Sequence, residues 1–472
     1  MTNYLAKYVP VGESEELVIN TTKPIVAGKR TDLSHFGRIS AIKVQETTFY
    51  ENEDFQNIVD GLNKLTTRLN EMHDILNMTE HMLSAGFAYN GSLNRLHDIL
   101  LDVVIRNRSL KIGVLGGSIS AGGALGGEQY IYSSILGHLL QLVIGERVEI
   151  YNVAVGSTAS NYYKYCIHAH LNASDMDIII WEFAINDFIV GIGPESQEEL
   201  TRFVLALPKK PQLVYVDFVH LVLFRQPHPC RFGSKRFGMH YDVPSISLPN
   251  ALCTYLEKGL RDGLLGSDNS HPGKIPHAMA AIFLAHLLKD VLQNITREWS
   301  PNNTPTSFQK GVDAENLIGE LPPPLYNISQ NLHRQCWSTL LSKEGVLNDL
   351  IPSKREDDWE MMQQEYEEDY RLDRKMFWGC KRKNKSIVFP LIIEPDEHAT
   401  LFSVYVVMLG CSWCGNAVVF LDHGNGVVIK TYWNWNIVRL FHVANNVPPG
   451  NHNITVIPQS DILVRVTSVI VA

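Results

Sequence analysis

No stretch of this sequence approaches the ~20 consecutive apolar residues of a membrane-spanning helix. The most apolar helical segment, around Ala278–Leu292, is broken by His286, Lys289 and Asp290. The opening residues, MTNYLAKYVPVGESEE, hold no apolar core of the kind a signal peptide carries. Basic charge is in deficit: 41 Lys and Arg against 50 Asp and Glu leave a net charge of -9, which disfavours a protein that tracks nucleic-acid phosphates. Cysteine is scarce, seven in 472 residues, odd in number and scattered, so no disulfide scaffold is implied. Apolar side chains, by contrast, make up 45% of the chain, which excludes global disorder and can fill the cores of two or three domains. The expectation is a soluble globular protein with no transmembrane segment and no nucleic-acid partner.

Asn-X-Ser/Thr sequons stand at Asn20, Asn77, Asn90, Asn107, Asn172, Asn294, Asn302, Asn327, Asn384 and Asn453. Chance would scatter roughly four. The excess hints at a secretory lumen or the cell exterior, but no entry signal accompanies it, so the compartment is left open.

Four regions can be read along the chain. Residues 1–107 form an N-terminal extension in which Ile58, Leu62, Leu65, Leu69, Met72 and Leu76 make one helical stripe, followed by Leu93, Leu96, Leu100 and Val103 in a second. A helical hairpin packed on the next domain is favoured over a coiled-coil arm, although such helices would also allow self-association. Residues 108–297 alternate short apolar runs (KIGVLGG, RVEIYNVAVG, DIIIWEFAIND, QLVYVDFVH) with helical patterns. That alternation predicts an α/β domain with a parallel sheet covered on both faces. Residues 298–379 read as a proline-marked linker (Pro301, Pro305, Pro322–Pro324) and a charged helical segment, Arg355–Lys375. Residues 380–472 show alternating runs separated by turns such as HGNG and PPGNH, the pattern of a small β-sandwich.

Ligands of parallel α/β sheets bind at the carboxyl ends of the strands. There this sequence delivers Gly116-Gly117-Ser118, then Gly156, then Asn186-Asp187; after the last sheet region comes SDNSHPG, with Asp268 and His271. Glycines let the backbone turn tightly and expose Ser118 above the sheet. The loop matches neither a Walker-type phosphate loop nor a dinucleotide fingerprint, and it misses G-x-S-x-G because Ser120 occupies the last glycine position. A three-residue spacing lets the Asp268 carboxylate hold the His271 imidazole, whose ordinary pKa of ~6.5 suits a general base. Gly156 and Asn186 can each offer an N–H to an oxyanion.

In order, GGSISAGG, NVAVGSTAS, EFAINDF and SDNSHP resemble the four blocks of the SGNH (GDSL-type) hydrolase family. The resemblance implies a flavodoxin-like three-layer α/β/α domain and esterase or acyl-transfer chemistry without metal or organic cofactor. It further implies Ser118 as nucleophile, His271 as base, Asp268 as its orienting carboxylate, and an oxyanion hole from Ser118, Gly156 and Asn186. Two positions depart from the family: Gly117 stands where Asp is more frequent, and Ala184 where Gly is usual.

Other residues also carry possible chemistry. His168 and His170 suggest a metal pair, but i and i+2 point apart on a helix. Cys411-x-x-Cys414 reads as buried thiols or a local disulfide, because no second C-x-x-C is present. Trp433 and Trp435 would share one face of a strand, either in a sandwich core or stacked on sugar rings. Asp217 and His220 offer an alternative acid–base pair. The expected function is a serine esterase that removes or transfers a small acyl group, such as acetyl, on a small molecule or glycan; the alternative is a non-catalytic carbohydrate-binding or adhesion protein.

Overall fold

A computed structural model describes residues 52–298, 321–328, 334–341, 349–364, 375–396 and 399–472. Residues 1–51, and with them Asn20, lie outside these, as do Pro301, Pro305 and Asn302 of the linker.

Six strands form the first sheet: β1 (Phe87–Tyr89), β2 (Leu110–Gly116), β3 (Val148–Asn152), β4 (Ile178–Glu182), β5 (Gln212–Asp217) and β6 (Ser245–Ser247), in the order β1-β6-β5-β4-β2-β3. All neighbours are parallel except β1, which adds antiparallel to β6. β4 and β5 are buried along their whole length, which is why Ile178-Ile179-Ile180 reads as a continuous apolar run. β1 and β6, three residues each, are too short to leave a periodic signal.

Helices cover both faces. On one side lie Asn52–Leu76, Asn94–Ile105, Tyr132–Ile144 and Lys274–Glu298. Ile58, Leu62, Leu65 and Leu69 of the first are buried in a core shared with the other three, so the N-terminal stripe is spent on the chain's own domain. Removing one such side chain, as in Leu65→Ala, costs about 2–5 kcal/mol. Lys274–Glu298 is long and apolar enough to cross a membrane by length and composition, yet most of it is buried inside this domain. Ser160–His170 and Pro194–Leu205 cover the opposite face.

The C-terminal region is built from β7 (Gln335–Ser338), β8 (Lys354–Arg355), β9 (Trp359–Gln363), β10 (Met376–Cys380), β11 (Ile387–Ile393), β12 (Phe402–Gly410), β13 (Ala417–Leu421), β14 (Val427–Ile429), β15 (Ile437–Val447), β16 (Gly450–Pro458) and β17 (Val464–Val471). One antiparallel sheet runs β15-β12-β17-β10-β9, with β7 also on β17; the other runs β14-β13-β16-β11-β8. Ile387, Phe389, Val404, Val406, Val419, Ile454 and Val456 fill the space between them.

The charged segment that reads as helical from Arg355 is instead extended. β9 pairs with β10 from Trp359 opposite Cys380 to Gln363 opposite Met376. Trp359 is fully buried and its ring N–H donates to Lys385, so one tertiary anchor overrides the helical preference of the acidic residues. Residues 365–374 of the same segment lie outside the described ones. The sandwich thus begins well before residue 380, the expected boundary.

The two regions share a core. Tyr162, Cys166, Trp181, Leu200 and Val204 pack with Phe377, Val407, Leu409, Val438 and Ile470. A disulfide joins Cys166 to Cys336 across this junction; others join Cys230 to Cys253 and Cys411 to Cys414, so six of the seven cysteines are paired and Cys380 is free and buried. Cysteines distant in sequence meet only after folding, and their scatter concealed the pairing. The Glu198 carboxylate accepts the backbone N–H groups of Leu325 and Tyr326, which ties the linker to the α/β domain.

Candidate active site

Ser118 follows β2 by two residues, at the carboxyl edge of the sheet. The chain then passes through successive turns rather than a helix: Ala121 N–H bonds Gly117, and Gly123 N–H bonds Ser118. The next regular helix starts only at Tyr132. Beneath this loop the Glu182 carboxylate, ending β4, accepts both the backbone N–H (3.3 Å) and the hydroxyl (3.1 Å) of Ser120; Tyr132 Oη shares that hydroxyl at 3.0 Å. Burial pushes the Glu182 carboxyl up to about 8, against the opposing bonds from Ser120 and Gly117. Sequence reasoning missed this support, because a glutamate at a strand end has no spacing signal of its own.

Ser118 Oγ lies 2.7 Å from His271 Nε2, and His271 Nδ1 lies 2.5 Å from Asp268 Oδ2. Asp268 Oδ1 also accepts the N–H groups of Ser270 and His271, each at 2.9 Å, which locks the carboxylate onto its own turn. Burial alone would raise the Asp268 carboxyl; the His271 bond and charge and those two N–H donors outweigh it and hold it well below the usual range. The hydroxyl, imidazole and carboxylate form one continuous hydrogen-bonded chain.

Asn186 stands in the first turn of a helix, Ala184–Val190, four residues beyond the end of β4, a strand whose sequence pattern runs on through Asp187. Its Nδ2 donates to the Thr158 carbonyl at 2.7 Å, which leaves the second amide hydrogen for another acceptor. The amide rests directly on Gly117: a Cβ built there would lie 2.3 Å from Asn186 Nδ2. A side chain at position 117 would therefore have to displace the Asn186 amide. Asp187 reaches sideways, its Oδ1 accepting the Ser160 N–H at 2.8 Å at the head of the helix Ser160–His170; burial lifts its carboxyl to about 7.

Gly156 is buried in a turn closed by Thr158 N–H to the Val155 carbonyl at 3.3 Å. The third residue of that turn, Ser157, has φ +63°, a left-handed state that costs a non-glycine residue about 1–2 kcal/mol. Val155 N–H bonds Gly116, so the turn is pinned beside the Ser118 loop.

A cavity of about 510 Å³ opens over Ser118, Asn186 and His271. Its second wall comes from the sandwich: the Cys411–Cys414 loop with Trp413, and the loop bearing Asn434, Trp435 and Asn436. Arg465, buried below, donates to the Gly410 carbonyl and to Asn436 Oδ1, bracing both loops. Trp433 and Trp435 lie on a loop and not on a strand; their rings meet edge-on at 5.9 Å, and Trp435 is 47% exposed. Neither the loop geometry nor its position over Ser118 was visible in TYWNW.

The alternative pair is not assembled. Asp217 turns to the Ser234 N–H and hydroxyl, at 2.8 and 3.0 Å. His220 lines the cavity instead, edge-on to His271 at 5.5 Å, and burial with the neighbouring His271 lowers its pKa to about 4. His170 bonds Tyr162 Oη at 2.7 Å and His168 packs on Phe203, so the two histidines do not converge. Among the described residues the cluster with metal-ligand types is Cys230, Cys253 and Glu257, and its two cysteines are bonded to each other.

No protein-family model matches the sequence, and no curated protein matches it either. Solved structures do. A two-domain esterase active on acetylated mannans matches at 17% identity and a TM-score of 0.56, over 82% of this chain and 97% of that one; its crystal with mannopentaose gives the same figures. The esterase EstA from Pseudoalteromonas sp. matches at 15% identity and a TM-score of 0.32, over 39% of this chain and 99% of that one. The chain shares the fold of that two-domain esterase: a three-layer α/β/α domain with an N-terminal helical region and a C-terminal antiparallel β-sandwich.

Proposed function

We propose that this protein is a serine-dependent carboxylic ester hydrolase that removes a small acyl group, such as acetyl, from a glycan. The observation that carries the reading is the unbroken chain Ser118 Oγ, His271, Asp268 at the floor of an open cavity. Ser118 Oγ attacks the ester carbonyl carbon while His271 Nε2 takes its proton. The carbonyl π electrons move onto oxygen, which the N–H groups of Ser118 and Gly156 and the Asn186 amide receive. Collapse expels the sugar oxygen, protonated by His271, and leaves an acyl-serine. Water, deprotonated by His271, then releases the carboxylic acid and restores Ser118. A sugar hydroxyl in place of water would give acyl transfer. None of these steps draws on a metal or an organic cofactor.

The glycan part is supported by Trp413 and Trp435 at the mouth, with Asn434 and Asn436 beside them: flat apolar rings and amides suit sugar faces and hydroxyls. It is further supported by the likeness to an esterase active on acetylated mannans. Three disulfides and the sequon excess support an oxidising setting.

The test is an ester panel from acetyl to long acyl, on sugar and aryl alcohols, with wild type and Ser118→Ala. Acetyl release from glycans that vanishes in the variant is expected. Activity that survives Ser118→Ala overturns the mechanism. A folded wild type that takes no serine-directed fluorophosphonate label yet retains glycans would favour the non-catalytic binding reading.

A further inference from the structure

Lys375 lies in the sandwich, one residue before β10, and is 2% exposed. A buried ammonium is kept only where polar groups receive it. One of those groups belongs to the other domain: Lys375 Nζ donates to Ser157 Oγ at 3.3 Å. Ser157 is the residue after Gly156, and it holds the left-handed backbone state of the turn. Its carbonyl is held as well, by the Val438 N–H at 3.1 Å, from the start of β15. Two segments of the sandwich, the residue before β10 and the start of β15, thus grip the side chain and the main chain of a single strained residue. From the α/β side, Asn186 grips the next residue through the Thr158 carbonyl. The turn is clamped from both domains.

We infer that Lys375 is a positioning residue for catalysis: by holding Ser157 left-handed, it aims the Gly156 N–H at the developing oxyanion. The sandwich would then be a part of the catalytic machinery as well as a wall of the cavity. Rotation about one peptide redirects an amide, and a donor that misses the oxyanion loses its effect in the transition state while substrate still binds. This inference rests on the esterase reading above.

The experiment measures kcat and KM for an acetyl ester with wild type, Lys375→Met, Ser157→Ala and the double variant Lys375→Met/Ser157→Gly. Each rate is divided by the fraction of Ser118 that reacts with a fluorophosphonate, so that unfolded protein is not counted. Lys375→Met is expected to lower kcat roughly 10–100-fold with KM within about twofold. Ser157→Ala should show a smaller loss of the same kind. Glycine adopts the left-handed state without help, so the double variant should recover part of the kcat lost in Lys375→Met. An unchanged kcat in Lys375→Met, a loss confined to KM, or no recovery in the double variant overturns the inference. If Lys375→Met fails to fold, Ser157→Ala decides: an unchanged kcat there has the same consequence. Ser118→Ala separates the two levels. Activity in Ser118→Ala sinks the esterase reading itself; an inactive Ser118→Ala beside a full-rate Lys375→Met sinks this inference alone.

Discussion

The two walls of the cavity are built on opposite principles. The α/β wall is made of strand ends and the turns that leave them, so Ser118, Asn186 and His271 are set by backbone hydrogen bonds and by carboxylates, the buried Glu182 and the half-buried Asp268. The sandwich wall is made of loops, with Trp413 and Trp435 more than two-fifths exposed at 57% and 47%. Rigid elements hold atoms at reacting distance; loops present broad, adaptable surface. On the proposed mechanism the difference is a division of labour: one wall would govern the rate, and the other what is held. Lys375 is the proposed exception, a sandwich residue acting on the rate.

The largest test of that division is Ser118→Ala, which is expected to lower kcat by ~10⁴ or more in a steady-state assay while the melting temperature stays put. Asn186→Ala comes next, with kcat reduced ~10²–10³-fold and KM nearly constant. Gly117→Ala should fall below it, about 10–100-fold in kcat, because the added methyl must displace the Asn186 amide. A Gly117→Ala enzyme at full rate would remove the steric reason given for this glycine.

Trp435→Ala probes the other wall. It should raise KM about tenfold on an acetylated glycan, equal to about 1.4 kcal/mol, and leave hydrolysis of a small aryl acetate unchanged. A fall in kcat on both substrates would erase the distinction between the walls.

The smallest effect is on stability. Glu182 is held protonated to about pH 8 in the folded chain, whereas an exposed glutamate ionises near ~4.3. Between these values the folded state binds the extra proton, so stability falls as pH rises, by at most about 1.4 kcal/mol per pH unit from this group. Asp187 and Asp217, lifted by burial to about 7, act in the same direction. Denaturant unfolding at pH 6.5 and pH 8 should show that decline in wild type and a shallower one in Glu182→Gln. Equal slopes would mean that Glu182 is already ionised in the folded protein.

The four blocks carried the α/β domain because each is local. A glycine-rich turn after an apolar run announces a strand end, and three residues suffice to join Asp268 to His271. The sandwich was legible as a β-region through its alternating runs, but its start was not. Trp359 outweighs the acidic helix formers around it only because β10 and Lys385 stand opposite. Glu182 and Lys375 left no trace, since an isolated charged residue becomes meaningful only beside Ser120 or Ser157.

By itself, then, the sequence determined the layered α/β class and the identity of the residues at its strand ends, because both depend on short-range periodicity and tight turns. Only tertiary structure decided that the sandwich closes over Ser118, that Gly117 must make room for Asn186, and that a lysine more than two hundred residues away reaches Ser157. Those outcomes depend on the shared core around Tyr162 and Val407, and contacts between remote segments follow from how whole faces pack.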